Sequence, residues 1–413
     1  MKKDSPFTIF KNAQYTWLFA SNISFFFAMQ AQFALRAWLA FKMTDSEFSL
    51  GLIVFAIAVP MFFLSPLGGV MADRINRRNL IMAGQFVVFL MDLIILVLLF
   101  TDKLEYWHLL SSSVVLGCAF PFIMPARNAM VVNVVGKSRL EHAMAINMGG
   151  VNMARFLGPA IAAFLIDFVG VSHAYLMGVS LFGIGLLLMT KVCSSVSSND
   201  GKVLSPVKSI VEGVMYMKNN RLVLILLLFG LIPMFLAMPF QNLLVVFAEK
   251  VWQAGPRGFG FLSAAFGLGG VIGSFWVAMI QNTYVRLRRM MISCLAFGVL
   301  LFFFSISPYF LLGLVLVFLA NACLNVFNTL NNTAIQLMIP DQVRGRISSF
   351  LMMSFSLPLL GTLPVSAVAE AYGAPFAVAL ASLLVILICL LFYIFSRDLR
   401  RMDKSVRSAR DQV

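Results

Sequence analysis

Twelve apolar runs, each close to the length of a membrane-spanning helix, constrain this chain more than any motif in it. They cover residues 16–41, 49–72, 79–101, 106–130, 141–166, 172–192, 221–248, 258–281, 287–307, 310–338, 346–369 and 374–396. Crossing the hydrocarbon core takes about 20 mostly apolar residues. The backbone of each span must also be satisfied internally, which makes a chain with many such runs an all-α integral membrane protein. Composition points the same way: only 12% of the 413 residues are charged, 61% are hydrophobic, and the mean hydropathy is +0.92. Soluble domains carry about 25% charged residues. The polar stretch from Met1 to Gln14 leads into an apolar run too long for a signal peptide and without a small-residue exit, so a retained first helix is expected.

The longest gap between runs, Cys193 to Asn220, is rich in serine and separates six runs from six. The expected organisation is a six-helix bundle over 1–192, a linker over 193–220, a second bundle over 221–396 and a basic tail over 397–413. A net charge of +14 would suggest nucleic acid on a soluble protein. Sorted by side of the membrane, 25 of the 31 lysines and arginines fall on the side of the N-terminus, four on the other and two inside helices. By the positive-inside rule both termini are cytoplasmic, and the charge reports topology rather than a nucleic-acid partner. The halves echo each other, with Gly68-Gly69-Val70 in run 2 and Gly269-Gly270-Val271 in run 8. Together with the six-plus-six division this suggests duplicated, pseudo-symmetric bundles.

Chemistry-bearing clusters are scarce. The five cysteines lack C-x-x-C spacing, and His108, His142 and His173 form no metal-binding pattern, so no metal or cofactor is expected. Neither a catalytic cluster nor a P-loop is present, which argues against a membrane enzyme and against direct use of ATP.

The sharpest motif is Gly69-Val70-Met71-Ala72-Asp73-Arg74-Ile75-Asn76-Arg77-Arg78, in the short turn between runs 2 and 3. Asp73, placed near the start of helix 3, would favour its positive dipole end or pair with a basic group. The segment resembles the loop signature of the major facilitator superfamily, G-x-L-A-D-R-x-G-R-R, with Met71 for the usual Leu and Asn76 for the usual Gly. Asn tolerates left-handed backbone, which makes the second change mild. Pro125 to Ala129, Asn152 to Ala160, Gln336 with Pro340 to Arg346, and Arg36-Ala37-Trp38 are similar to the enterobactin-exporter and macrolide-efflux branch. This resemblance implies the major facilitator fold. It also implies a cytoplasmic latch built on Gly69, Asp73, Arg74, Arg77 and Arg78, with Arg344 and Arg346 in the matching loop of the second half. A helix-packing seam on run 5 is carried by Ala145, Ala154, Gly158, Pro159, Ala162 and Ala163. The drug-efflux pattern also places an arginine within helix 4; here the first one is Arg127, read as lying at that helix's cytoplasmic end.

Ionisable groups inside the bilayer cost about 2.5 to 3.5 kcal/mol each on insertion scales, so each needs a partner or a purpose. Arg36, Asp92 and Arg155 qualify. Counted from the cytoplasmic ends of their helices, Asp92 and Arg155 share a depth of about 20 Å, which predicts that they pair, either as a fixed structural pair or as a proton-coupling site. The resemblance implies a cavity built from helices 1, 4, 7 and 10. Asn321, Asn325, Asn328 and Asn332 recur at helical spacing on run 10, a stripe that lines a wet cavity or binds helix to helix. Gln30 and Gln32 on run 1 and Gln241 and Asn242 on run 7 extend the cavity set, and Phe25, Phe26, Met29 and Phe33 supply an apolar wall. Prolines 233, 239, 358 and 364 interrupt runs 7 and 11.

The expected function is secondary active export of a small molecule by alternating access, driven by proton antiport, from the inner membrane of a bacterium. The protein is expected to act as a monomer, with lipid and substrate as its partners. A siderophore-like metabolite and a hydrophobic or macrolide drug are the competing substrates. A channel or a non-transporting sensor is the rival from another class.

Overall fold

The computed structural model describes residues 6–136, 140–193, 215, 220–279, 286–338 and 357–396. Every regular element among these residues is helical. After a short 3-10 turn (Pro6–Lys11), six long helices follow the first six runs: α1 (Ala13–Thr44), α2 (Glu47–Arg74), α3 (Arg77–Phe100), α4 (Tyr106–Val135), α5 (Leu140–Val169) and α6 (Val171–Thr190). Run 7 is divided into α7 (Arg221–Leu236), α8 (Phe240–Val246) and a π turn (Phe247–Val251). Then come α9 (Gly255–Met279), α10 (Arg286–Ser305) and α11 (Phe310–Met338). Of run 11 the described part is α12 (Leu357–Leu360) and α13 (Thr362–Tyr372), and run 12 is α14 (Ala374–Phe395). Eleven helices among the described residues are long and apolar enough to cross a membrane.

Local chemistry explains where these helices stop. Asn76, with φ −53° and ψ 115°, caps α3 by accepting from the backbone N–H groups of Arg78 and Asn79. Its value in the motif is thus its side-chain acceptor, not the left-handed tolerance expected of it. Asp73 falls in the last turn of α2 rather than at the start of α3, so it does not sit at the positive end of the α3 dipole as expected. On α4, Glu105 and His108 close a capping box. The break in run 7 follows Pro233 and includes Pro239, and run 11 is interrupted at Gly361 between Pro358 and Pro364. Proline removes an amide donor from the helix ladder. At Gly361 a β-carbon would overlap the carbonyl oxygen of Phe235, so the break lets two backbones meet.

The chain divides into two compact units: Met1–Thr44 with Ala56–Val203, and Asp45–Phe55 with Leu204–Val413. One helix, α2, therefore contributes its first residues to the second unit and the rest to the first. In the first unit α1 packs on α5 and α6, and α3 packs on α4 and α6. In the second, α11 packs on α9 and α10, and α10 packs on α14. The echoing glycines do the same job in each unit. A side chain at Gly68 of α2 would overlap the carbonyl of Pro121 on α4, and one at Gly269 of α9 would overlap the carbonyl of Phe318 on α11. Close helix approach at small residues is how membrane helices gain packing energy without a hydrophobic drive.

Candidate functional site

The first unit contains a sealed charge cluster. Arg36 on α1 donates from Nη2 to Asp92 Oδ1 on α3 at 2.6 Å, and the Tyr175 hydroxyl on α6 donates to the same oxygen at 2.9 Å. Arg36 and Asp92 are 1% and 0% exposed. The expected partner was Arg155, and the structure corrects this: Arg155 is exposed on α5 and no ion pair among the described residues contains it. The depth count failed because it was made from one end only. From the opposite ends, Arg36 and Asp92 each lie eight residues in, about 12 Å, while Arg155 lies about 21 Å in. Helix α3 is shorter than α5, so a match counted from one end does not hold from the other.

A second buried network was missed. Arg127 lies inside α4, eight residues from its end, rather than in a terminal position. It is 2% exposed, with Nη1 donating to Asn22 and Nη2 donating to Gln85 Oε1 at 2.6 Å. Its guanidinium lies 4.5 Å from the Phe25 ring centre. Asn22 in turn donates to Asn147 on α5, and Gln85 donates to the Phe182 carbonyl on α6. Amide side chains from α1, α3 and α5, and no carboxylate among the described residues, surround this cation. The available signal was an asparagine or glutamine inside each of runs 1, 3 and 5, which a search for charges alone passes over.

Several expected cavity residues turn out to be packing residues. Gln32 is 1% exposed, donates to the Tyr175 carbonyl at 3.3 Å and fills the notch at Gly178. Gln30 is half-buried, its β-carbon against Gly158 of α5. Residues two apart on a helix do not share a face, so both could not line one pocket. Phe25 and Met29 belong to a buried cluster with Val88, Leu116, Ile123 and Phe182, against which Phe26 and Phe33 pack. Of the seam residues on α5, Ala154, Gly158, Pro159, Ala162 and Ala163 are buried, and Gly158 abuts Ala31 and Phe27 of α1, whereas Ala145 is exposed.

At the α2–α3 turn, Arg77 is buried and donates from Nε to the Ala72 carbonyl at 3.2 Å. Arg78 donates to the Thr190 carbonyl at the end of α6 at 2.7 Å, and Arg74 is exposed. These contacts tie helices of one unit together. The Gly69 and Asp73 side-chain positions lie outside the described residues, as do Arg344 and Arg346.

In the second unit the asparagine stripe divides. Asn321 donates to the Phe266 carbonyl on α9, and Asn325 donates back to Asn321, both against Gly270. Asn321 thus binds helix to helix and Asn325 braces it from the same helix, and Gly270 leaves room for both amides. Asn328 is half-buried and Asn332 is exposed. Asn331, off the stripe and not foreseen, is buried and donates to the Leu226 carbonyl on α7 at 3.2 Å beside Gly230. Gln241 and Asn242 are half-buried on α8.

The second unit also clasps the start of α2. Lys250 meets the carboxylates of Asp45 at 3.3 Å and Glu47 at 3.1 Å, and donates to the Asp45 carbonyl at 3.1 Å. Glu370 on α13 accepts from the Ser46 hydroxyl and from the Phe48 amide at the N-terminus of α2. Burial pushes the Glu370 carboxyl up, but these hydrogen bonds outweigh it and hold the group below its ordinary value.

The molecule is thus a multi-span helical protein with two glycine-notched units, a basic α2–α3 turn and a buried charge pair, and one family model covers it over residues 4–412, that of the transmembrane secretion effectors. The chain belongs to this family of the major facilitator superfamily. It is a transporter rather than an enzyme. Among curated proteins this secretion effector is 22% identical to the staphyloferrin A transporter of Staphylococcus aureus, over 88% of this chain and 91% of that one. It is 23% identical to the multidrug efflux pump Tap of Mycolicibacterium fortuitum, over 89% and 91%. To the enterobactin exporter EntS of Escherichia coli it is 27% identical, over 74% and 73%. Among solved structures the fold is similar to the nucleoside transporter NupG, with a TM-score of 0.74, 14% identity and coverage of 93% and 99%. A POT family transporter in complex with 5-aminolevulinic acid matches with a TM-score of 0.71, 13% identity and coverage of 93% and 96%.

Proposed function

We propose that the chain is a proton-driven secondary active exporter of a siderophore-like metabolite, working by alternating access in a bacterial inner membrane. In this reading twelve spans place both termini in the cytoplasm, the linker 193–220 joins two six-helix bundles, and the protein acts as a monomer without a cofactor. The observation that carries the substrate class is the state of Asp92. An open carboxylate within the spans would favour a cationic drug, and the one deep acid foreseen there is sealed against Arg36 and Tyr175 with no exposed surface. The accessible polar side chains on the described spans include a cation and an amide, Arg155 in the middle of α5 and Asn332 near the end of α11. This suits a polar or anionic product. Two relatives carry siderophores by name, which supports the same side.

The Tap relative favours multidrug efflux as the second reading. Deleting the gene and measuring secreted siderophore separates the two: loss of secretion with unchanged drug tolerance is expected, and the converse refutes the metabolite reading. Proton coupling is checked in proteoliposomes, where efflux should accelerate under an imposed pH gradient; gradient-independent flux at channel rates would place the chain in the rival class. The latch implied by the loop motif predicts that Asp73→Asn abolishes transport while the protein still accumulates in the membrane.

A further inference from the structure

Arg155 occupies the middle of α5, 14 residues from its end at Val169 and 15 from its start at Leu140, about 21 Å from either. At that depth a charged side chain faces protein, water or a bound group rather than lipid. Protein does not cover it, since Arg155 is exposed. Gly158 and Ala162, three and seven residues further along the same face of α5, are packed into the unit, while Arg155 itself is exposed. Asn152, three residues earlier and so on the same face, is half-buried.

Most of the described acids have partners elsewhere or lie far along their helices. Asp92 is held by Arg36 and Tyr175, Asp45 and Glu47 by Lys250, and Glu370 by the start of α2. Glu105 is taken up in the α4 cap, and Asp167 lies 12 residues along α5 from Arg155, about 18 Å away. Arg127, also inside a span of the first unit, is sealed between Asn22 and Gln85.

We propose that Arg155, with Asn152 beside it, is an anion-recognition site on α5 that receives a carboxylate or catecholate group of the transported molecule. A guanidinium presents a planar fork of donors that matches a carboxylate or a vicinal diolate in bidentate fashion, and the Asn152 amide adds a neutral donor within reach of the same group. The assignment rests on the export reading above, because the anion is taken to be cargo.

The test does not require the cargo to be known. In a variant with its native cysteines replaced, Asn152→Cys is labelled in membranes by two thiol reagents of opposite charge, 2-sulfonatoethyl and 2-(trimethylammonio)ethyl methanethiosulfonate. Rates are normalised to a free thiol. A positive charge about 6 Å away favours the anionic reagent and disfavours the cationic one by about threefold each, a ratio of about ten. Adding Arg155→Gln should erase the ratio, and Arg155→Lys should keep most of it. Absence of labelling, or a ratio indifferent to Arg155→Gln, overturns a wet cationic face. In the second arm citrate, 2,3-dihydroxybenzoate and tetraphenylphosphonium are tried as protectants of the introduced thiol. Protection by either anion, lost in Arg155→Gln, is expected. Protection by the cation, or by none of the three, overturns the ligand class. If the exporter reading fails in the pH-gradient assay while the reagent ratio holds, the site stands and only the identity of the anion as cargo falls.

Discussion

The interiors of the two units differ although their scaffolds echo each other. Both bring a glycine-bearing helix onto a neighbouring carbonyl, at Gly68 against Pro121 and at Gly269 against Phe318. Yet the first unit holds three arginines and an aspartate within its spans, whereas the polar residues buried in the second, apart from Glu47 at the start of α2, are neutral among the described spans: Asn321 and Asn331, with serines and a threonine. Backbone packing depends on small residues at fixed places, and such residues recur in both units. Charge is not needed for that packing and diverges where function requires it. The first unit thus carries the electrostatics, and the second supplies amides that bond carbonyls on adjacent helices.

The contrast between charged and neutral interiors is tested most forcefully at the buried pair. Asp92→Ala leaves Arg36 charged and uncompensated, an arrangement that costs about 3 to 5 kcal/mol. The purified protein should melt far below wild type or fail to accumulate. Replacing both partners, Arg36→Met with Asp92→Leu, should recover most of the loss, since an ion pair taken out of water gains little over apolar packing. A double variant no better than Asp92→Ala would show that Tyr175 and Gln32, not the pair, hold α1, α3 and α6 together. The glycine notches come next. Gly68→Val and Gly269→Val each drive a branched side chain into a backbone carbonyl and should cost about 2 kcal/mol or more in thermal unfolding. Equal losses would support shared scaffold roles; a loss in one half alone would mean that the echo is only in sequence.

Much of the fold is legible in the sequence. Run lengths locate eleven of the helices, because apolar length is what the bilayer itself measures. The seam at Ala154, Gly158 and Ala162 is legible for a similar reason, small size being the whole of its function. Partner choice is not. Asp92 matches Arg155 in depth from one end and Arg36 from the other, and a one-dimensional count has no means of levelling helix ends. Nor does the asparagine stripe reveal which amides meet a neighbour. Asn321 and Asn325 find room because Gly270 lies on another helix, and Asn331 because Gly230 does. Such pockets depend on two segments distant in sequence. A finer test is Asn331→Leu, which forfeits the bond to Leu226 and should cost about 1 kcal/mol, against Asn332→Leu on the exposed side, which should leave stability unchanged. If Asn332→Leu is the more damaging, the division of the stripe is wrong.

The smallest expected effect lies where the boundary between the units blurs, at α2, whose first residues cluster with the second unit. Lys250 is 39% exposed at its side chain, so its ion pairs with Asp45 and Glu47 are screened, and Lys250→Met should cost about 0.2 to 1 kcal/mol, less at high salt. Glu370 behaves differently because it caps a helix. Its carboxyl is held below the ordinary value by the Phe48 amide and the Ser46 hydroxyl, in spite of the upward push of burial. A group with a depressed folded value contributes its full stability above its ordinary value and loses it as the pH falls through the lower, folded one. The clasp should therefore be intact at neutral pH and weaken only in the acid range below an ordinary glutamate. Glu370→Gln should remove that acid dependence while retaining an acceptor for the Phe48 amide. Distance measurements between spin labels on α2 and α13 read this directly. A separation that widens at acid pH in wild type but not in Glu370→Gln is the expected result. A distance indifferent to pH in both would mean that the start of α2 is held by Gly51 packing against Ser366, where a β-carbon would stand 2.5 Å from the serine side chain, and not by the carboxylate.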